Sequence, residues 1–125
     1  MASIEIPTPK RGDIWLVAFG AGRIGEPAKT RPAVIMSANS QVIRTVHDLL
    51  VVVPLSSSLT ASKARTVVVA KPENGLQADS VLVPQAVRGL SMSRLVRCLG
   101  EIDSQSLHRL ERVLVSLLGL PISRG

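Results

Sequence analysis

The chain has little of what most active sites are built from. Its single cysteine, Cys98, can form no intramolecular disulfide, and no CxxC pattern exists to hold a metal or run redox chemistry. Lying in an apolar run, Cys98 reads as a small core residue in a reducing compartment. The only histidines, His47 and His108, are far apart, and the nine acidic residues recur at no ligand spacing. That inventory argues against structural zinc and against two-metal nuclease chemistry. Aromatic residues make up 2% of the chain, with no tyrosine, which counts against a base-stacking platform for single strands. Arginine planes would have to substitute. No window approaches the roughly 18 apolar residues that span a bilayer, and "MASIEIPTPK" has no apolar signal core. The expectation is a soluble cytoplasmic protein with no membrane partner. The Walker pattern and the GxSxG elbow are missing as well, and "GAGRIGE" lacks the third glycine of a dinucleotide fingerprint.

What is present is positive charge and apolar strand. Fifteen Lys and Arg stand against nine Asp and Glu, a net charge of +6 that favours polyanions, either nucleic acid or an acidic protein. At 125 residues, with 46% hydrophobic and 19% charged residues, the chain suits one ordered domain. Residues 1–10, with Pro7 and Pro9, read as a flexible arm, residues 11–120 as the single domain and residues 121–125 as a tail. "GDIWLVAF" (Gly12–Phe19) predicts the first strand, Gly20–Thr30 a mobile glycine-rich loop, and "PAVIMS" (Pro32–Ser37) a strand that Pro32 opens. Ala38–Asp48 suggests one helical turn and a loop. "LLVVVPLSS" (Leu49–Ser57) is the strongest strand signal, with Pro54 marking an edge, a bulge or a barrel corner. Thr66–Ala70 predicts a strand and Lys71–Ala78 a turn. Asp79–Ser91 predicts a strand broken near Pro84, and Arg94–Ile102 the last strand.

The period then changes. Leu107, Leu110, Leu114, Leu117 and Leu118 fall at helical spacing, with Asp103 or Ser104 as cap and Gly119 with Pro121 as stop. The pattern predicts a small, strongly bent antiparallel sheet or barrel, with a C-terminal helix docked on it by those leucines.

One reaction class tolerates so bare an inventory. RNA carries its own nucleophile, the 2′-OH beside the scissile phosphate. Cleavage then needs the phosphate held in line and its developing charge stabilised, which a guanidinium and a nearby hydroxyl donor can do.

"RGDIWLVAF", "GEPAKTRPAVIMS", "VVVPLSS" and "DSVLVPQAVRGLSMSRLVRCLGEID" with a closing helix resemble, in order and spacing, the MazF/PemK toxins of bacterial toxin–antitoxin systems, from Arg11 to about Leu118. The resemblance implies a mainly β (α+β) fold, an SH3-like antiparallel β-barrel with a C-terminal α-helix, assembled as a homodimer. It further implies metal-independent, cofactor-free endoribonuclease activity on single-stranded RNA, leaving 2′,3′-cyclic phosphate and 5′-OH ends. The implied partner is a cognate antitoxin whose acidic C-terminal segment covers the RNA groove. Carried over by position, the catalytic pair is Arg31 and Ser56, where relatives commonly have threonine at the hydroxyl. The implied RNA-binding residues are Glu26, Lys29, Thr30, Ser57 and Arg88. Two departures stand out: Gln85–Ala86 replaces an acidic residue followed by glutamine, and Gly25 replaces the histidine of the plasmid branch. Neither of those groups can act here as acid or base. Two alternatives stay open: a non-catalytic toxin of this fold that binds a protein such as gyrase, and an adaptor barrel for acidic peptides. Trp15 reads as core or interface, and His108 as a solvated or satisfied histidine.

Overall fold

In the computed structural model, which describes residues 8–21, 28–44, 49–58 and 66–121, the strands are β1 (Asp13–Ala21), β2 (Ala28–Ile35), β3 (Leu49–Ser56), β4 (Val67–Val68), β5 (Ser80–Leu82), β6 (Arg88–Ser91) and β7 (Leu95–Glu101). The helices are α1 (Asn39–Arg44) and α2 (Ser104–Leu117). All pairings are antiparallel, in the order β4-β5-β3-β2-β1-β7, with β6 also on β3.

The sheet curls because β3 changes partner halfway. Leu49–Val52 pair with β6, whereas Leu55 and Ser56 pair with β5. Pro54 sits at the change. Its carbonyl accepts from the Val83 N–H at 2.9 Å, so its backbone groups point to the side on which the neighbours swap. A residue without an N–H costs no rung there. A 3-10 turn at Pro84–Ala86 carries the chain from β5 to β6. Pro54 is therefore a barrel corner, and the result is a curled half-barrel with one long C-terminal helix, consistent with the SH3-like class.

Both faces of the sheet are covered. Ile14, Val34, Val53, Leu55 and Leu82 pack with Ile102 and Leu110 beneath α2. Trp15, Val17, Ala33, Ile35 and Val52 pack with Val42 of α1 and Leu90 of β6. Burial on both faces is why β2 and β3 read as nearly continuous apolar runs rather than alternating ones. Trp15 is fully buried, its indole N–H donating to the Asp13 carboxylate at 3.3 Å. The helix begins as expected: the Asp103 side chain accepts from the Ser106 N–H at 2.9 Å. It ends with Gly119 at φ 66°, where the Leu120 and Gly119 N–H groups return to the Val115 and Ser116 carbonyls.

Five expectations need correction. The loop predicted for Gly20–Thr30 is shorter, since β1 runs to Ala21 and β2 starts at Ala28, paired to each other across an irregular register. Main-chain pairing extends a hairpin past weakly apolar residues. Pro32 lies inside β2, opposite Leu16, rather than at its start. The strand expected at Thr66–Ala70 is only Val67–Val68. Cys98 is exposed rather than core, because β7 pairs with β1 alone and is a sheet edge. Leu117 and Leu118 do not dock; Leu118 is 57% exposed while Leu110 is 1% exposed, because the helix outruns the sheet it lies on.

Candidate active site

The alternation of β2 explains why Arg31 and Pro32 open a cleft. Met36 N–H donates to the Val51 carbonyl of β3 at 2.8 Å, whereas the Ile35 carbonyl accepts from the Gly12 N–H on the β1 side at 2.8 Å. Even-numbered residues of β2 thus direct their backbone groups at β3 and odd-numbered ones at β1. Pro32 belongs to the even set, so the donor it lacks is one that β3 would have received. The β2–β3 pairing runs Ile35–Val52, Val34–Val53, Ala33–Pro54, and stops. Beyond it the strands part around a cleft of about 700 Å³.

Arg31 is the residue next to that parting. Continuing the register by two places sets it opposite Ser56, and both residues line the cleft. From β2 come Thr30, Arg31 and Pro32; from the end of β3 come Leu55, Ser56, Ser57 and Ser58. Leu16 forms the base, with Arg97 and Leu99 of β7 on the far side. The turn Gly75–Ala78 closes the wall. That turn rests hard against β7: a Cβ at Gly75 would overlap the Leu99 carbonyl, and Gly75 has φ 68°, so only glycine allows the approach.

The only charged side chains lining this cleft, among the described residues, are Arg31 and Arg97. The ion pairs among the described residues are Arg11–Glu111 and His108–Glu111, so neither arginine has a carboxylate partner there. The Ser56 hydroxyl oxygen accepts from the Ser58 N–H at 3.2 Å, a contact that does not use its own proton. Two guanidiniums without an ion pair among the described residues, and a hydroxyl beside them, suit an anion with several oxygens.

Of the residues expected from sequence, the structure brings Thr30, Arg31, Ser56 and Ser57 onto this one cleft. Lys29 is exposed on β2 beside it. Arg88 lies elsewhere, its guanidinium over the Phe19 ring at 5.7 Å. Glu26 lies outside the described residues, as does His47. Arg97, Gln77 and Ser58 line the cleft without having been singled out in the sequence. An arginine inside the apolar run "RLVRCLG" is the signal that points to Arg97, since a strand residue of that kind needs an aqueous neighbour.

A second cleft of about 620 Å³ lies at the start of α2, lined among others by Lys10, Arg11, Asp13, Lys71, Glu73, Glu101 and Asp103. Three of its charged side chains, Arg11, Asp13 and Asp103, are engaged internally. Asp13 accepts from the Lys10 N–H at 2.8 Å, and the Arg11 guanidinium donates to the Met36 carbonyl and to Glu111. Partial burial pushes the Asp103 carboxyl up. The hydrogen bonds from the Ser106 N–H and hydroxyl outweigh it, helped by Lys71, and hold the group below the ordinary carboxylate value. No three of the His, Cys, Asp and Glu side chains among the described residues cluster so as to hold a metal ion, and no helix there is long and apolar enough to cross a membrane.

The sequence pattern of the PemK-like, MazF-like toxins of type II toxin–antitoxin systems matches residues 10–118. A curated relative, endoribonuclease MazF9 of Mycobacterium tuberculosis, is 30% identical over 108 residues, covering 84% of this chain and 92% of its own length. The fold is also that of MazF from Deinococcus radiodurans, at TM-score 0.74 and 23% identity, covering 90% of this chain and 98% of that one. An endoribonuclease from a mycobacterial species in complex with its cognate antitoxin superposes at TM-score 0.67 and 22% identity, covering 94% of this chain and all of the other.

Proposed function

The chain belongs to the PemK-like, MazF-like toxins of type II toxin–antitoxin systems, and from that premise we propose that it is a cytoplasmic, metal-independent endoribonuclease that cuts single-stranded RNA at short sequence motifs. The observation that carries the reading is the β2–β3 fork, where Arg31 and Ser56 line one cleft without a carboxylate among its described residues. In the reaction the 2′-oxygen attacks the adjacent phosphorus and the P–O5′ bond breaks. The products are a 2′,3′-cyclic phosphate and a 5′-OH, the 2′-OH proton leaving as the 5′-oxygen gains one. Arg31 stabilises the charge that gathers on the two non-bridging oxygens, and the Ser56 hydroxyl donates a further hydrogen bond to them. Arg31 is no base, because a guanidinium does not give up its proton in proteins. Thr30, Ser57 and Lys29 are the nearby groups that support the strand, with Glu26 and Arg88 as further RNA contacts implied by family position.

The same two cations suit an acidic peptide, so the reading includes inhibition by a cognate antitoxin whose acidic C-terminal segment occupies the cleft. The active form is a homodimer. The test is to incubate purified protein with defined RNA in EDTA and to analyse the ends. Cyclic phosphate and 5′-OH termini on RNA, with the matching DNA uncut, are expected. Intact RNA at every enzyme ratio would leave the fold with a protein target instead, and a cut deoxy substrate would overturn attack by the 2′-OH.

A further inference from the structure

Among the described residues, Arg97 is the one charged group of the cleft that the cleavage chemistry does not use. Leu16 pairs with Pro32, the neighbour of Arg31, on one side and with Arg97 on the other, so the strands that carry the two cations lie two strand spacings apart across β1, roughly 10 Å between backbones. Arg97 is exposed, lines the cleft, and has no ion pair among the described residues. Its backbone is held by the β1 ladder, and the Gly75 turn is pressed against the same strand at Leu99. Guanidiniums rooted on strands that far apart can each take a different phosphate along one RNA strand.

We propose that Arg97 forms a second phosphate subsite, which binds a phosphodiester flanking the scissile one in single-stranded RNA and sets which linkage lies at Arg31. The proposal rests on the RNA reading of the cleft. Arg97 is a positioning residue: it holds the strand and takes no part in bond making. Its removal should therefore fall on KM more than on kcat, by about tenfold in affinity.

The experiment uses non-cleavable 2′-O-methyl RNA octamers of mixed sequence, in which one linkage at a time is a neutral methylphosphonate. Binding to the parent protein, Arg97→Gln, Arg97→Lys and Arg31→Ala is measured across a range of salt. One neutral linkage should weaken the parent but not Arg97→Gln, and a different one should weaken the parent but not Arg31→Ala, which is the coupling a double-mutant cycle detects. The slope of log affinity against log salt should fall by about 0.7 in Arg97→Gln, and Arg97→Lys should recover it. Arg97→Gln binding every octamer as the parent does, or coupling to the same linkage as Arg31, overturns the second subsite. No linkage coupled to Arg31 would overturn the active-site reading instead, whatever Arg97 does.

Discussion

The two clefts of this domain are nearly equal in volume, about 700 and about 620 Å³, and they differ in what their polar groups are doing. At the start of α2, Lys and Arg are interleaved with Asp and Glu, and Arg11, Asp13 and Asp103 are bonded within the protein. Asp13 is tied to Lys10 and Trp15, Arg11 to Met36 and Glu111, and Asp103 to the helix it caps. In the β2–β3 fork, two arginines face water with no described carboxylate beside them. The two hollows match in size and differ in sign: one mixes acids with bases, and the other carries arginine alone among its described charged residues. An anion gains less beside a mixed set of charges than beside two cations with no described carboxylate next to them.

The largest test of that contrast is Arg31→Ala against Lys71→Ala. Removing the fork cation should lower kcat on RNA by about a thousandfold, the scale seen when one preorganised donor to a developing oxyanion is lost. Removing Lys71, in the other cleft, should leave cleavage as it was. Ser56→Ala should cost about tenfold, the worth of one hydrogen bond to a charged group. Equal losses in Arg31→Ala and Lys71→Ala would mean that global charge, not the site, drives binding.

Arg11→Ala reverses the assignment. Its guanidinium joins the segment before β1 to the Met36 carbonyl and to Glu111 of α2, an ion pair between residues a hundred positions apart. Its loss should lower stability by about 2 kcal/mol in denaturant unfolding, with kcat on RNA retained in the folded protein. A loss of kcat with stability intact would place Arg11 in the wrong cleft.

How far each cleft was legible follows from the range of the contacts that build it. Arg31 and Ser56 were readable because Arg-Pro is at once a family signature and the local chemistry that ends a ladder. Arg97 left only a local hint, an arginine within an apolar strand, because its place in the cleft depends on β1 pairing with β2 and β7 together, a non-local fact. Arg11–Glu111 is hidden for the same reason. The Asp103 cap and the Gly119 stop are local, and both stand where the sequence puts them. Cys98 misleads, since an apolar neighbourhood in sequence reports buried strand and not whether that strand lies at an edge. Leu117 and Leu118 mislead similarly: helical spacing names a face without saying how far the sheet beneath extends.

Asp103 offers a smaller effect with a defined pH dependence. Its carboxyl is held below the ordinary value, so the folded state favours the charged form. The stabilisation is present above about pH 4, where unfolded carboxylates ionise, and is lost as pH falls through the lower folded value. Asp103→Ala should be about 1 kcal/mol less stable than the parent at neutral pH, the usual cost of an N-cap. The gap should close below about pH 4. A gap that persists in acid would assign the loss to helix propensity rather than to the carboxylate.

Cys98 gives the smallest effect, and it separates exposure from reactivity. The thiol is exposed on β7, close in sequence to the proposed Arg97 subsite, so proximity to a cation suggests an activated thiolate. The surroundings point the other way. Partial burial first, then the Asp13 and Glu101 charges, push the thiol above its ordinary value, against the backbone of Gly100 and the charge of Lys10. A raised value leaves less thiolate at neutral pH, and the thiolate is the nucleophile. Alkylation by iodoacetamide should therefore be slower than that of a free cysteine derivative at about pH 7.5 and still climbing at about pH 9. Rapid alkylation that levels off near neutrality would mean that the Arg97 guanidinium turns toward the sulfur rather than into the cleft, which would also weaken the contrast between the two hollows.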